Sequence, residues 1–220
     1  MPSDFPRSPK LLKGALVVFE TAAPVPTNLI VFQYNPDGMT RGFQQASGQS
    51  PQPGAGDTLN ALPPIETFQL SAALDAADQL ENPGQNPLAV AVGLHPTLAA
   101  LELLLYPGST LLILNQALSL AGSAVLTPAR APLVLLVWGP ARVVPVRLAS
   151  LSIEEQAFDQ LLNPIRAQVT LGLRALTIPE LRQAGPPFDT LAIVNHIAKE
   201  VLARANIFNS AQQIGESLPF

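Results

Sequence analysis

The chain has 220 residues, of which 48% are hydrophobic and only 13% charged, about half the charged share usual in soluble proteins. A net charge of −4 without any basic run excludes a protein that works by neutralising nucleic-acid phosphates or anionic membrane surfaces. Cysteine is absent, so disulfides and thiolate chemistry are excluded too. This length fits one domain with appendages, and so little charge predicts a surface largely covered by partners.

Residues 1–9 are Pro-rich and read as a loose arm, without the apolar stretch of a signal peptide. Residues 11–21 and 27–34 are two strands joined by Pro24-Val25-Pro26 in hairpin fashion, and Asn35-Pro36-Asp37-Gly38 ends the second. The stretch 44–64 carries seven Gly and Pro residues (Gly48, Pro51, Pro53, Gly54, Gly56, Pro63 and Pro64) and reads either as a flexible surface loop or as one that orders only against a neighbouring subunit. Residues 65–74 resume as a strand, and 75–87 are polar and turn-rich.

From 94 to 106 the period changes. Pro96 suits a first helical position, Leu98, Leu101 and Leu105 share a face, and Pro107-Gly108 stops the helix. Residues 111–121 fit either a second apolar helix or a buried strand. The apolar run 111–125 is interrupted by Asn115, Gln116 and Ser119 and falls short of the roughly 20 residues a bilayer requires. No direct membrane insertion is expected.

The strongest pattern lies in 132–176. Residues 133–138 form an apolar strand ending in Trp138, the only tryptophan, expected to be a buried core anchor. The stretch 143–152 is extended, because Pro140 and Pro145 exclude a helix and β-branched residues dominate. Residues 158–164 carry the Asp, Asn and Pro of a reversing connection. Beyond it Arg166, Gln168, Thr170, Gly172 and Arg174 alternate with Ala167, Val169, Leu171, Leu173 and Ala175, so one strand face is wet and the other buried. Asp159 and Arg166 flank the connection and are expected to pair across it or to face a neighbouring subunit. The region 177–187 is a Pro- and Gly-bearing connector, and Asp189 caps a last helix over about 190–205 with Leu191, Val194, Ala198, Val201 and Leu202 on one face. Residues 206–220 read as a tail.

No constellation carries catalysis. His95 and His196 lack the acids or thiolates of a usual zinc site. Glu154 and Glu155, adjacent on a strand, point to opposite faces. No nucleophile elbow, P-loop or dinucleotide fingerprint occurs. The expectation is therefore a protein that is not an enzyme, with no catalytic residue, no cofactor and no metal.

Three separated segments carry a resemblance. The first is residues 32–44, FQYNPDGMTRGFQ, and the second is 93–107, GLHPTLAALELLLYP. The third runs from Trp138-Gly139 through Pro145-Val146-Arg147 and the acidic stretch 154–159 to LNPIRA at 162–167. In this order they resemble the baseplate and tube-adaptor proteins of phage-tail-like contractile injection systems. These are similar to LysM-type phage tail adaptors, although no LysM module is read here and no peptidoglycan binding is expected.

The resemblance implies a mainly β (α+β) fold: a small antiparallel, tail-tube-like β-barrel with one or two packed helices and a C-terminal helical extension. The barrel would span 10–176 with a helical insertion at about 94–121, and 177–220 would form a separable linker, helix and tail. It further implies a structural component that joins inner tube and spike hub to baseplate wedge proteins, in a six-fold ring without nucleic acid. Assembly would occur in the bacterial cytoplasm, in a particle later released or anchored to a membrane. Candidate subunit contacts are Asp159, Arg166, Arg147, Leu191, Val194, Val201 and Leu202. The alternative is a free-standing barrel that holds an apolar ligand inside, against which the Leu- and Val-rich strands predict a filled interior.

Overall fold

The computed structural model of the chain describes residues 12–19, 25–45, 64–106, 108–122, 131–182 and 186–214. The arm at 1–9, residues 46–63 of the expected loop and the end of the tail lie outside them. Among the described residues seven antiparallel strands form one sheet: β1 (Ala15–Phe19), β2 (Asn28–Val31), β3 (Met39–Gln44), β4 (Ile65–Asp75), β5 (Leu133–Val137), β6 (Val143–Phe158) and β7 (Pro164–Ala175). Their order is β2-β1-β5-β6-β7-β4-β3. The helices are α1 (Ala77–Leu80), α2 (Pro87–Val92), α3 (His95–Glu102), α4 (Ser109–Leu120), α5 (Ile178–Arg182) and α6 (Phe188–Ile214). The protein is thus α+β on an antiparallel sheet.

Consecutive strands β2 and β3 occupy opposite edges of this sheet. In a flat sheet of seven strands those edges stand about 29 Å apart. That is the limit of what the eight Cα steps from Val31 to Met39 could reach, at about 3.6 Å each. The link also bends at residues 33, 34 and 37, so the sheet must curl. Side chains of the link draw the margins together: Asn35 Oδ1 accepts from the Gly14 N–H at 2.9 Å and Gln33 Oε1 from the Asp75 N–H at 3.0 Å.

The expected closed barrel is corrected here, because β2 and β3 share no ladder. Pro36 in the link lacks an N–H, and the gap is crossed by the Gln33 side chain, which accepts from the Asp75 N–H.

The alternation read in β7 holds, with Ala167, Val169, Leu171 and Leu173 buried. They join Phe68, Leu70, Leu136 and Val146 in a single core inside the curl. One end of it is plugged by Leu94, Leu98, Leu101 and Leu104, from α3 and its flanks. β3, α1 and α2 lie in segments whose sequence reads as turn or carries no clear period. The structure decides α4 as a helix, and a solvent-facing one: none of its described residues is buried, and Leu120 is 84% exposed.

Residues 177–187 are more than a connector. Glu180 reaches back to Thr177 as in one half of a capping box, the Thr177 N–H and Oγ1–H each donating to Glu180 Oε2 at 2.9 Å. Leu181 and Phe188 are buried with Phe19 on the outer sheet face beside Leu133 and Leu135, and the Phe19 and Phe188 rings meet edge to face at 5.0 Å. The chain from α5 into the first turns of α6 therefore packs on the sheet.

Candidate functional site

Three features of the surface stand out, and the first is the β6–β7 turn. Asp159 accepts from the N–H groups of Leu161 and Asn163 and from Asn163 Nδ2, at 2.7, 2.8 and 2.8 Å. Those hydrogen bonds, that of the Asn163 side chain foremost, hold its carboxyl below the usual carboxylate range. Asp159 does not pair with Arg166. The expected bridge fails because β7 has already begun at Pro164, and its register sets Arg166 beside Asp75 on the far side. There Asp75 Oδ2 accepts from Arg166 Nε at 3.0 Å and Nη2 at 2.8 Å.

Behind the turn, the Leu94 N–H donates to the Pro164 carbonyl at 2.8 Å and Asn163 Nδ2 to the Ala91 carbonyl at 3.3 Å. Gly93, at φ +56°, stands so close that any Cβ would strike the Pro164 oxygen. The firmly held turn pushes Leu161 and Leu162 into solvent, 79% and 76% exposed. Leu162 adopts φ +63°, a left-handed conformation unfavourable for a branched side chain.

The second feature is α6. Asn195 Nδ2 donates to the Val143 carbonyl and Lys199 Nζ to Glu66 Oε2. With Phe188 and Ala192 these residues recur at three- and four-residue steps and form the sheet-facing side. Ile193, Val194, Ile197 and Val201 lie on other sides of the helix and are all exposed. Of the residues expected to form an apolar face, Leu191 is half-buried, whereas Val194, Val201 and Leu202 are exposed. Arg147 is exposed on β6, opposite Arg174. Of the seven candidates, Asp159 serves the turn and Arg166 pairs with Asp75, while Arg147, Val194, Val201 and Leu202 are exposed and Leu191 is half-buried.

The third feature was not anticipated. At the end of the core away from α3, the curled sheet opens into a cleft of ≈ 810 Å³ beside α6. Glu66 occupies a core-facing position of β4 and is 8% exposed. Arg41 of β3 and Lys199 of α6 both bond its carboxylate. Burial pushes this carboxyl up, but the hydrogen bonds from Lys199 and Arg41 outweigh it and leave it below the ordinary glutamate value. The Arg41 guanidinium also stands 5.3 Å from the Phe43 ring and 5.7 Å from that of Phe68.

Trp138 lines this cleft; it packs against the core as expected but is half-buried rather than buried. It stacks edgewise on Phe32 at 6.3 Å, held at the margin because β5 has ended one residue earlier. The sequence signal that could have located the cleft is Glu66 itself. It stands in phase with Phe68, Leu70, Ala72 and Leu74 on the buried side of a strand, where an unpaired carboxylate would be very costly.

Among the described residues no group of three or more His, Asp or Glu side chains could hold a metal ion, and no described helix is long and apolar enough to cross a membrane. No protein-family model matches this sequence, and no curated protein matches it significantly.

Proposed function

We propose that the protein is a structural, non-enzymatic baseplate component of a contractile injection system, linking inner tube and spike to the surrounding baseplate. The observation that carries this reading is where the resemblance-bearing segments meet. Gln33 of the first binds Asp75, which pairs with Arg166 of the third, while Leu94 of the second binds Pro164 of the third. Segments far apart in the chain thus serve one junction, and that junction presents an exposed, conformationally strained Leu161-Leu162 tip. Such strain at an exposed apolar site favours a contact role.

The exposed apolar residues of α4 and α6 supply further docking surface, and the open margins β2 and β3 could pair with neighbours. On this reading the curled, unclosed sheet stands beside neighbouring subunits in a six-fold ring. The inner tube, spike hub and wedge proteins are the proposed partners. The particle would assemble in the bacterial cytoplasm before release or membrane anchoring.

Electron microscopy of particles from cells carrying a tagged copy tests the proposal. The tag should appear at the tube–baseplate junction, and a Leu161→Ser/Leu162→Ser double variant should be lost from particles while still folding. A tagged chain that never enters a contractile particle overturns the reading.

The alternative of a binder with a ligand inside the curled sheet is not favoured. That interior is filled by side chains such as Leu136, Val146 and Leu171, each fully buried.

A further inference from the structure

The cleft at the open end of the sheet has the makings of a ligand site, and this inference does not rest on the baseplate reading. Its floor is apolar, formed by Phe68, which is 1% exposed, and by Val144 of β6, with Trp138 on the wall. Three cations, Arg41, Lys199 and Arg142, line it against the single carboxylate of Glu66, a local surplus of two (3 − 1) in a chain of net charge −4. Arg41 and Lys199 are committed to Glu66. Arg142 is different: half-buried in the turn between β5 and β6, it has no ion pair or side-chain hydrogen bond with any described residue. A guanidinium offers a planar fork of donors that matches a carboxylate. The volume lies within the range of small-molecule sites, which combine mostly apolar walls with few polar groups.

We infer that the cleft binds an amphipathic carboxylate: an aliphatic body seated on Phe68, Val144 and Trp138, with its head group on Arg142. One free guanidinium suits a singly charged carboxylate, and Glu66, already neutralised by Arg41 and Lys199, offers no net negative charge to favour a cationic ligand. The fatty-acid class of medium chain length fits this chemistry.

Trp138 is the only tryptophan in the chain, so its fluorescence reports on this cleft alone. Titrations of the full chain with decanoate, 1-decanol and acetate, below the micelle concentration, should be followed by that fluorescence and by calorimetry. Decanoate should bind saturably, with 1-decanol and acetate each weaker by about tenfold or more. Arg142→Gln should lower decanoate affinity by about tenfold while leaving 1-decanol unchanged, and Arg142→Lys, which keeps the charge but not the planar fork, should fall between Arg142→Gln and the wild type. Arg147→Gln, remote on β6, should change nothing. Absence of decanoate binding, equal affinity for decanoate and 1-decanol, or indifference to Arg142→Gln overturns the inference.

Discussion

Lys199 Nζ lies 2.7 Å from Glu66 Oε2, tying α6 to β4 across 133 positions of sequence. The pair is asymmetric: the glutamate side chain is 10% exposed and the lysine side chain 52%. Loss of an exposed cation from such a pair costs little, about 0–1 kcal/mol. Loss of the buried carboxylate leaves Arg41 and Lys199 without their acceptor.

Lys199→Ala should therefore lower global stability by no more than about 1 kcal/mol, yet speed amide exchange along α6 beyond Ala192. Glu66→Ala should cost more, about 1–3 kcal/mol. Equal effects of the two variants on denaturant midpoints would show that the anchor does not depend on burial.

Glu180 supplies a pH test. The hydrogen bond from Arg174 foremost, aided by Thr177, lowers its carboxyl to about 2, although burial acts the other way. A carboxyl lowered on folding stabilises the protein above its unfolded value of about 4.3. That contribution fades as pH falls from there towards about 2. The melting temperature of the wild type should exceed that of Glu180→Gln at pH 6, and the gap should close across this window. A gap independent of pH would refute the assignment.

The truncation that looks harmless from sequence is expected to be damaging. Leu181 is fully buried and Phe188 4% exposed against the outer face of β1 and β5. Leu181→Ala should cost about 2–5 kcal/mol and Phe188→Ala about 3–5 kcal/mol. A chain ending at Leu176 should lose cooperative melting or aggregate through the bared Phe19 face. A cooperative, wild-type-like melt of that chain would mean that α5 and α6 contribute nothing to the domain.

The β6–β7 turn separates folding from contact. Gly93→Ala places a Cβ against the Pro164 carbonyl at a positive φ and should destabilise by more than about 1 kcal/mol. Leu162→Gly relieves a left-handed leucine and should leave stability within about 1 kcal/mol of wild type, or raise it. If assembly needs the tip, the glycine variant should fold normally and join particles poorly; normal entry into particles would remove Leu162 from the interface.

Periodicity in this sequence determined a good deal by itself. The alternation from Arg166 to Ala175 and the Asp, Asn and Pro between β6 and β7 placed the central hairpin, because a strand with one buried face must repeat every second residue. The helix at Leu98 and Leu101 was legible for the same reason at its own period. The helix at Ile178–Arg182 was not legible: the prolines around it suggest a connector, although Thr177 and Glu180 stand at the local spacing of a helix start.

Only the tertiary structure decided the rest. Which acid meets Arg166 depends on the register of β4 against β7, which sequence spacing does not contain, so Asp75 rather than Asp159 is its partner. Whether the sheet closes depends on a link between two edge strands, and there the Gln33 side chain reaches across to the Asp75 N–H while Asn35 ties the link to Gly14 beside β1. The outward turn of the apolar residues on α6 follows from Phe188 docking on the sheet and Lys199 reaching Glu66. Local pattern fixes the amphipathicity of an element, but the surface it meets is set by contacts between residues far apart in the chain.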